Sequence, residues 1–135
     1  MEETRTENVV VTVNVSAAKD LLVEGHRYLD VRTNEEFSRG HVDNALNVPY
    51  IFKTPDGNFI NPEFLAQVSL LLQKDDSLVV GCNSGGRSFK ACVDLLNNGY
   101  KNVTNLGGGY SAWLDHEFAG DPSADMFKTA CKFRK

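Results

Sequence analysis

LVVGCNSGGRSFKACVDLL, residues 78–96, passes from a strand pattern to a helix pattern through the short run Cys82 to Ser88. Residues 78–81 are uniformly apolar, which suits a strand covered on both faces and therefore central in its sheet. Beyond the run, Phe89, Cys92, Val93 and Leu96 recur at i, i+3, i+4 and i+7, the apolar face of a helix that Gly99 closes. Small and amide-rich residues between the two leave backbone N–H groups able to turn inward. Cys82 then stands at the carboxyl end of a strand and the N-terminus of a helix. N–H donors, the helix dipole and Arg87 would all favour negative charge there. A cysteine can also be a small buried hydrophobe. The strand-end position and the following Gly-Gly-Arg point instead to a thiolate nucleophile.

Outward from this unit, strand-like and helix-like runs alternate. Residues 9–15 alternate apolar and polar, as a half-buried strand does, and Ser16 is a candidate cap for a helix that Gly25 stops. Residues 28–31 read as a second strand, and Thr33-Asn-Glu-Glu36 as a capping box opening a short helix that stops near Gly40. Residues 45–49 form a third strand. Asn61-Pro62 reads as a cap and first helical position before the apolar face Phe64, Leu65, Val68, Leu71 and Leu72. Residues 103–106 form a fifth strand and 109–114 a last helix. The pattern predicts a three-layer α/β domain with a five-stranded, mainly parallel sheet flanked by helices. Ligands in such sheets sit outside the carboxyl ends of strands, where Cys82, Arg32 and Tyr50 fall.

Composition narrows the function classes. At 135 residues, 41% hydrophobic and 24% charged, the chain suits one globular domain. A net charge of −4 offers no basic footprint for nucleic acid, and no apolar run approaches a membrane span. MEETRTENVV begins acidic and lacks a signal core, so a soluble cytoplasmic protein with neither nucleic-acid nor membrane partner is expected. Cys82, Cys92 and Cys131 are an odd number, which fits a reducing compartment, and their spacing predicts no metal site.

The loop C-N-S-G-G-R-S resembles the active-site loop of rhodanese-like proteins, Cys-x-x-Gly-x-Arg-Ser/Ala. Tyr28-Leu-Asp-Val-Arg32, Glu36-Phe37, Gly40-His41, Ala45-Leu-Asn-Val-Pro49 and Gly108-Gly-Tyr-Ser-Ala-Trp113 follow the same family in order. The resemblance spans residues 8–117 as a rhodanese-like domain and leaves 118–135 as a C-terminal tail. It implies Cys82 as the catalytic residue and Asn83, Ser84, Gly85, Gly86, Arg87 and Ser88 as the substrate-binding loop. RYLDVRTNEEF, NVPY and GGGYSAW are most similar to small plant rhodaneses, a group of sulfurtransferases that also includes arsenate reductases. Four residues separate Cys82 from Arg87. Related phosphatase and arsenate-reductase loops are one residue longer, and the tighter ring suits a terminal sulfur better than a tetrahedral oxyanion.

The other candidate residues divide between structure and chemistry. Cys92 lies on its helix's apolar face and reads as core. Six residues of helix rise about 9 Å, beyond the roughly 7 Å Cα separation of a disulfide with Cys82. Cys131 in the tail reads as a surface cysteine or as a resolving thiol, and FAGD…ACKFR resembles the arsenate-reducing branch. Arg87 would hold an oxyanion or neutralise a carboxylate. Asp30 reads as a buried carboxylate satisfied by loop N–H groups, and Arg32 as positive potential at the site mouth. His41 reads as a structural residue bonded across the fold, His26 and His116 as surface, and Trp113 as core. Residues 51–60 (IFKTPDGNFI) read as a lid or a plain connector, with Tyr50, Phe52 and Lys53 at its rim.

The resemblance implies transfer of sulfane sulfur from thiosulfate or a similar anion to a thiol or other thiophilic acceptor. That reaction needs no cofactor, with glutathione or another thiol as co-substrate. Its rivals are glutathione-dependent arsenate reduction at Cys82 and a non-catalytic interaction or sensor module. A phosphatase fits poorly, because the loop is short and no acid stands ready to protonate a leaving group.

Overall fold

The computed structural model describes residues 10–119. Residues 8 and 9 of the expected domain and residues 120–135 of the expected tail, Cys131 included, lie outside them. The element order is β1 (Val11–Val13), α1 (Val15–Val23), β2 (Arg27–Asp30), α2 (Asn34–Ser38), β3 (Leu46–Asn47), β4 (Ile51–Thr54), β5 (Gly57–Ile60), α3 (Phe64–Leu71), β6 (Ser77–Gly81), α4 (Gly86–Asn97), β7 (Asn102–Leu106) and α5 (Gly109–Ala119). Five strands pair in the order β1-β7-β6-β2-β3, every pairing parallel, with β6 in the middle.

Strand alternation explains how the sheet buries both faces. Leu29, Val31, Leu78 and Val80 point into one cluster with Phe64, Val68 and Leu72 of the α3 region and Ala91, Cys92 and Leu95 of α4. Tyr28 and Val79, one residue out of phase, join Val15 and Ala18 of α1 and Leu106 on the opposite face. Both faces of β6 are therefore apolar, as its sequence requires. From β2 the chain first moves outward to β3, then returns to lay β6 on the other side of β2. That reversal is a topological switch point, and Cys82 follows β6 directly at its edge.

Several elements differ in detail from the sequence expectation. Asn14, not Ser16, caps α1, its side-chain oxygen accepting the Ala17 N–H at 2.9 Å. Val15 has to enter the core, which starts the helix earlier. Asn61 does not cap α3, which begins at Phe64. Its oxygen accepts the Glu63 N–H and its amide donates to the Pro49 carbonyl and to Gln67, so it braces the turn before the helix. On α4 the fully buried face is Ser88, Ala91, Cys92 and Leu95, one residue round from the expected stripe. Ser88 enters the core because its hydroxyl is hydrogen-bonded there. Phe89 and Val93 are half-buried and line a groove with Tyr50, Lys90 and Asp94. The last helix runs on from Leu114 to Ala119.

Candidate active site

The chain leaves β6 at Gly81 and enters α4 at Gly86, with Gly85 at the N-cap in the left-handed region, φ 111°. That reversal wraps the backbone round the Cys82 sulfur. Gly85 N–H donates to it at 3.0 Å. The N–H groups of Ser84 and Ser88 and the Ser88 hydroxyl lie close enough to favour charge on it. The thiol is 1% exposed. Burial alone would push its pKa up; hydrogen bonds from Ser88, Gly85 and Ser84 outweigh that and bring it below the ordinary value. Cys92, deeper on α4, has no such donors, and burial pushes its thiol up to about 12. The loop donors favour charge on Cys82, whereas burial disfavours it on Cys92.

The first turn of α5 aims the loop. Tyr110 N–H donates to the Cys82 carbonyl at 2.8 Å and Ser111 N–H to the Asn83 carbonyl at 3.2 Å. In a trans peptide the carbonyl and the following N–H point in opposite directions. Drawing the Asn83 carbonyl out to Ser111 therefore turns the Ser84 N–H in toward the sulfur. Such close contact needs a glycine. A Cβ on Gly109 (φ 59°) would fall 2.4 Å from the Cys82 carbonyl oxygen.

Charged groups fix the loop's rim. Arg87 donates two hydrogen bonds to Glu36 of α2, at 2.9 and 3.2 Å, and so performs the carboxylate-neutralising job of its two expected ones. Lys53 on β4 reaches the same carboxylate at 3.4 Å. The stretch 51–60 is an antiparallel hairpin, β4 with β5, and Lys53 ties it to the Glu36–Arg87 pair. Tyr50 is buried rather than at a rim, and its hydroxyl donates to Asp94 at 2.7 Å.

Burial opposes the charge on Glu36, but bonds from Arg87 and the Thr33 N–H lower its pKa from 4.5 to about 2. The pair stabilises the fold fully above pH 4.5, and this contribution is lost as pH falls toward about 2. Urea unfolding of wild type and Glu36→Gln is expected to differ most at neutral pH and to converge below pH 4.5. A gap independent of pH would contradict the assignment.

Arg32 does not supply positive potential at the mouth. It is buried, and its Nε and terminal nitrogen bind Asp30 at 3.0 and 2.7 Å while the guanidinium lies 4.4 Å from the Tyr110 ring. Asp30 is satisfied by this side chain as well as by the Arg32 N–H at 2.9 Å. Breaking such a buried pair typically costs about 3–5 kcal/mol. An open cavity of about 190 Å³ beside the loop is lined by Arg32, Glu36, Arg39, Gly40, Asn83 and Tyr110. Arg39 is exposed there and has no ion-pair partner among the described residues. His41 is held locally, not across the fold: Nδ1 bonds the Phe37 carbonyl at 2.8 Å and the ring stacks on Phe37. Trp113 is half-buried, edge-on to Tyr28, with Lys19 over its ring. His26 is half-buried and His116 exposed.

The structure gathers Cys82, Ser84, Gly85 and Ser88 round one sulfur, with Asn83 on the neighbouring cavity and Arg87 on Glu36. Glu36, Gly109 and Asn105 were not expected in these roles. Glu36 carried only a capping-box signal, and Gly109 only a run of glycines after a strand. Asn105, buried on β7 and bonded by the Ser88 hydroxyl, was signalled only by an amide between Thr104 and Leu106.

Comparison with known proteins agrees with this geometry. The family profile for the rhodanese-like domain matches residues 14–116. The chain is 60% identical to "Protein HIGH ARSENIC CONTENT 1, mitochondrial" of Arabidopsis thaliana, over 99% of this chain and 80% of that protein. It is 57% identical to Arabidopsis "Thiosulfate sulfurtransferase 18", over 81% of this chain and 82% of that protein. Among solved structures, a human single-domain sulfurtransferase is 30% identical with a TM-score of 0.59, over 77% of this chain and 95% of that one. A thiol enclosed by loop N–H groups at the edge of β6, on a five-stranded parallel sheet with these relatives, has one reading: the chain belongs to the rhodanese-like sulfurtransferase family, in its plant group.

Proposed function

We propose that the protein transfers sulfane sulfur through a persulfide on Cys82. The observation that carries this reading is the Cys82 sulfur held by the Gly85 N–H at 3.0 Å and by donors from Ser84 and Ser88. The thiolate attacks the outer sulfur of thiosulfate, the S–S bond of the donor breaks, and sulfite leaves with the electron pair. Cys82 then carries a persulfide whose terminal sulfur inherits the negative charge. The loop N–H groups that favour the thiolate face that charge. A thiophile such as cyanide or a thiolate attacks the terminal sulfur and carries it away, returning Cys82 as thiolate. No redox cofactor is required. The exposed Arg39 on the adjoining cavity suits an anionic donor.

A second reading is arsenate reduction, favoured by the arsenic-related name of the relative at 60% identity. Here Cys82 attacks arsenic(V) and water leaves. Glutathione or Cys131 then attacks the Cys82 sulfur, arsenite departs with the As–S electron pair, and the disulfide left on Cys82 is reduced by a further thiol. The tight loop favours the sulfur reading. Turnover of thiosulfate and of arsenate by one preparation, wild type and Cys131→Ser, separates the two. Sulfur transfer is expected to exceed arsenite release and to be unchanged by Cys131→Ser. Arsenite release without thiocyanate formation from thiosulfate and cyanide would overturn the proposal.

No helix among the described residues is long and apolar enough to cross a membrane. Unpaired Cys82 and Cys92 suit a compartment that keeps thiol acceptors reduced, such as the cytoplasm.

A further inference from the structure

Ser88 has one hydroxyl hydrogen and three acceptors compete for it. The Gly85 carbonyl lies 3.1 Å from its oxygen, the Asn105 side-chain oxygen 2.5 Å, and the Cys82 sulfur is the third. Asn105 is buried on β7, and its amide nitrogen donates to Thr12 on β1 at 3.2 Å. That bond turns the amide oxygen toward Ser88. The Gly85 carbonyl has the Phe89 N–H of α4 as a second donor and does not depend on the hydroxyl, and the shorter contact is to Asn105, so the contest that matters is between Asn105 and the sulfur.

We propose that Asn105 is a positioning residue that holds the Ser88 hydrogen when Cys82 is neutral and yields it when the sulfur carries charge. In the thiol state the S–H donates to the Ser88 oxygen and the Ser88 hydrogen goes to Asn105. On ionisation the hydroxyl turns and donates to the thiolate, leaving the Asn105 oxygen unbonded. Asn105 therefore opposes formation of the thiolate. A thiolate bound less tightly is a stronger nucleophile, because nucleophilicity falls with basicity. Once sulfur is loaded and Cys82 Sγ is no longer the charged atom, the hydrogen returns to Asn105.

The remaining titratable neighbours do not supply this effect. Tyr28 on β2 and Cys92 on α4 face Cys82, and burial keeps both neutral at physiological pH. Arg87 is neutralised by Glu36 and Arg32 by Asp30.

The proposal rests on Cys82 as the reacting thiol, and its test reads alkylation rather than turnover, so the two can fail separately. The pH dependence of iodoacetamide labelling at Cys82 is followed by mass mapping on the full chain, with Cys92 as an internal control for unfolding. Asn105→Val is expected to raise labelling at pH values below the inflection by roughly threefold to tenfold, the worth of one hydrogen bond. Asn105→Asp, whose carboxylate grips the hydrogen harder, is expected to lower it. Ser88→Ala alone lowers labelling, and in that background Asn105→Val is expected to change nothing. Asn105→Ala carries the same expectation where the valine variant does not fold. An unchanged or lowered rate in Asn105→Val, or the same rise with and without Ser88, would overturn the proposal.

Discussion

Cys82→Ser is expected to lower sulfur transfer by roughly a thousandfold or more while leaving unfolding stability within about 1 kcal/mol of wild type. Serine has almost the same volume and can accept the same N–H bonds from the loop, so the ring round position 82 has no reason to open. The chemistry does not survive, because an alkoxide is far harder to form than the thiolate these donors stabilise. Steady-state thiocyanate formation and urea denaturation, measured on one preparation, check both halves. A variant that also loses its fold would mean that the sulfur is a packing atom first.

Gly109→Ala is the larger structural test. The position has φ 59°, where an L side chain costs about 1–2 kcal/mol, and its Cβ would meet the Cys82 carbonyl oxygen at 2.4 Å and Asn83 atoms at 2.6 and 2.7 Å. All three are backbone atoms, so the conflict is relieved only by moving the loop away from α5. The Tyr110 and Ser111 bonds that turn the loop carbonyls outward are then lost. The expected result is a stability loss of about 3 kcal/mol or more and a fall in turnover of roughly a hundredfold, the usual consequence of misplacing a site by about an ångström. Wild-type rates from a folded Gly109→Ala protein would show that α5 does not shape the loop.

The sheet was legible because its signals are local. The apolar run before Cys82 placed β6 at the centre, and Thr33 with Glu36 forms the capping box that its spacing predicts. The hairpin at 51–60 was missed because Lys53, Thr54, Pro55, Asp56 and Gly57 read as loop chemistry, while the pairing of Ile51 with Ile60 is a tertiary fact. The stripe on α4 was misjudged by one residue because hydropathy counts Ser88 as polar, and its partner Asn105 lies far off in sequence. Arg32 was read as a mouth cation because its pairing with Asp30 depends on the turn after β2 folding the guanidinium back. Motif order singled out Cys82, the thiol that the loop surrounds. Which side chains neutralise, orient or restrain it was decided by contacts between distant segments, such as Arg87 with Glu36 and α5 with the loop.

Sulfur bookkeeping on the protein itself tests the central claim most directly. Intact-mass and peptide mapping after brief exposure to thiosulfate is expected to find one added sulfur atom, located on Cys82 and removed by cyanide as thiocyanate. An added sulfur mapped to Cys92 or Cys131, or a Cys82 that stays unmodified while thiocyanate accumulates, would contradict it.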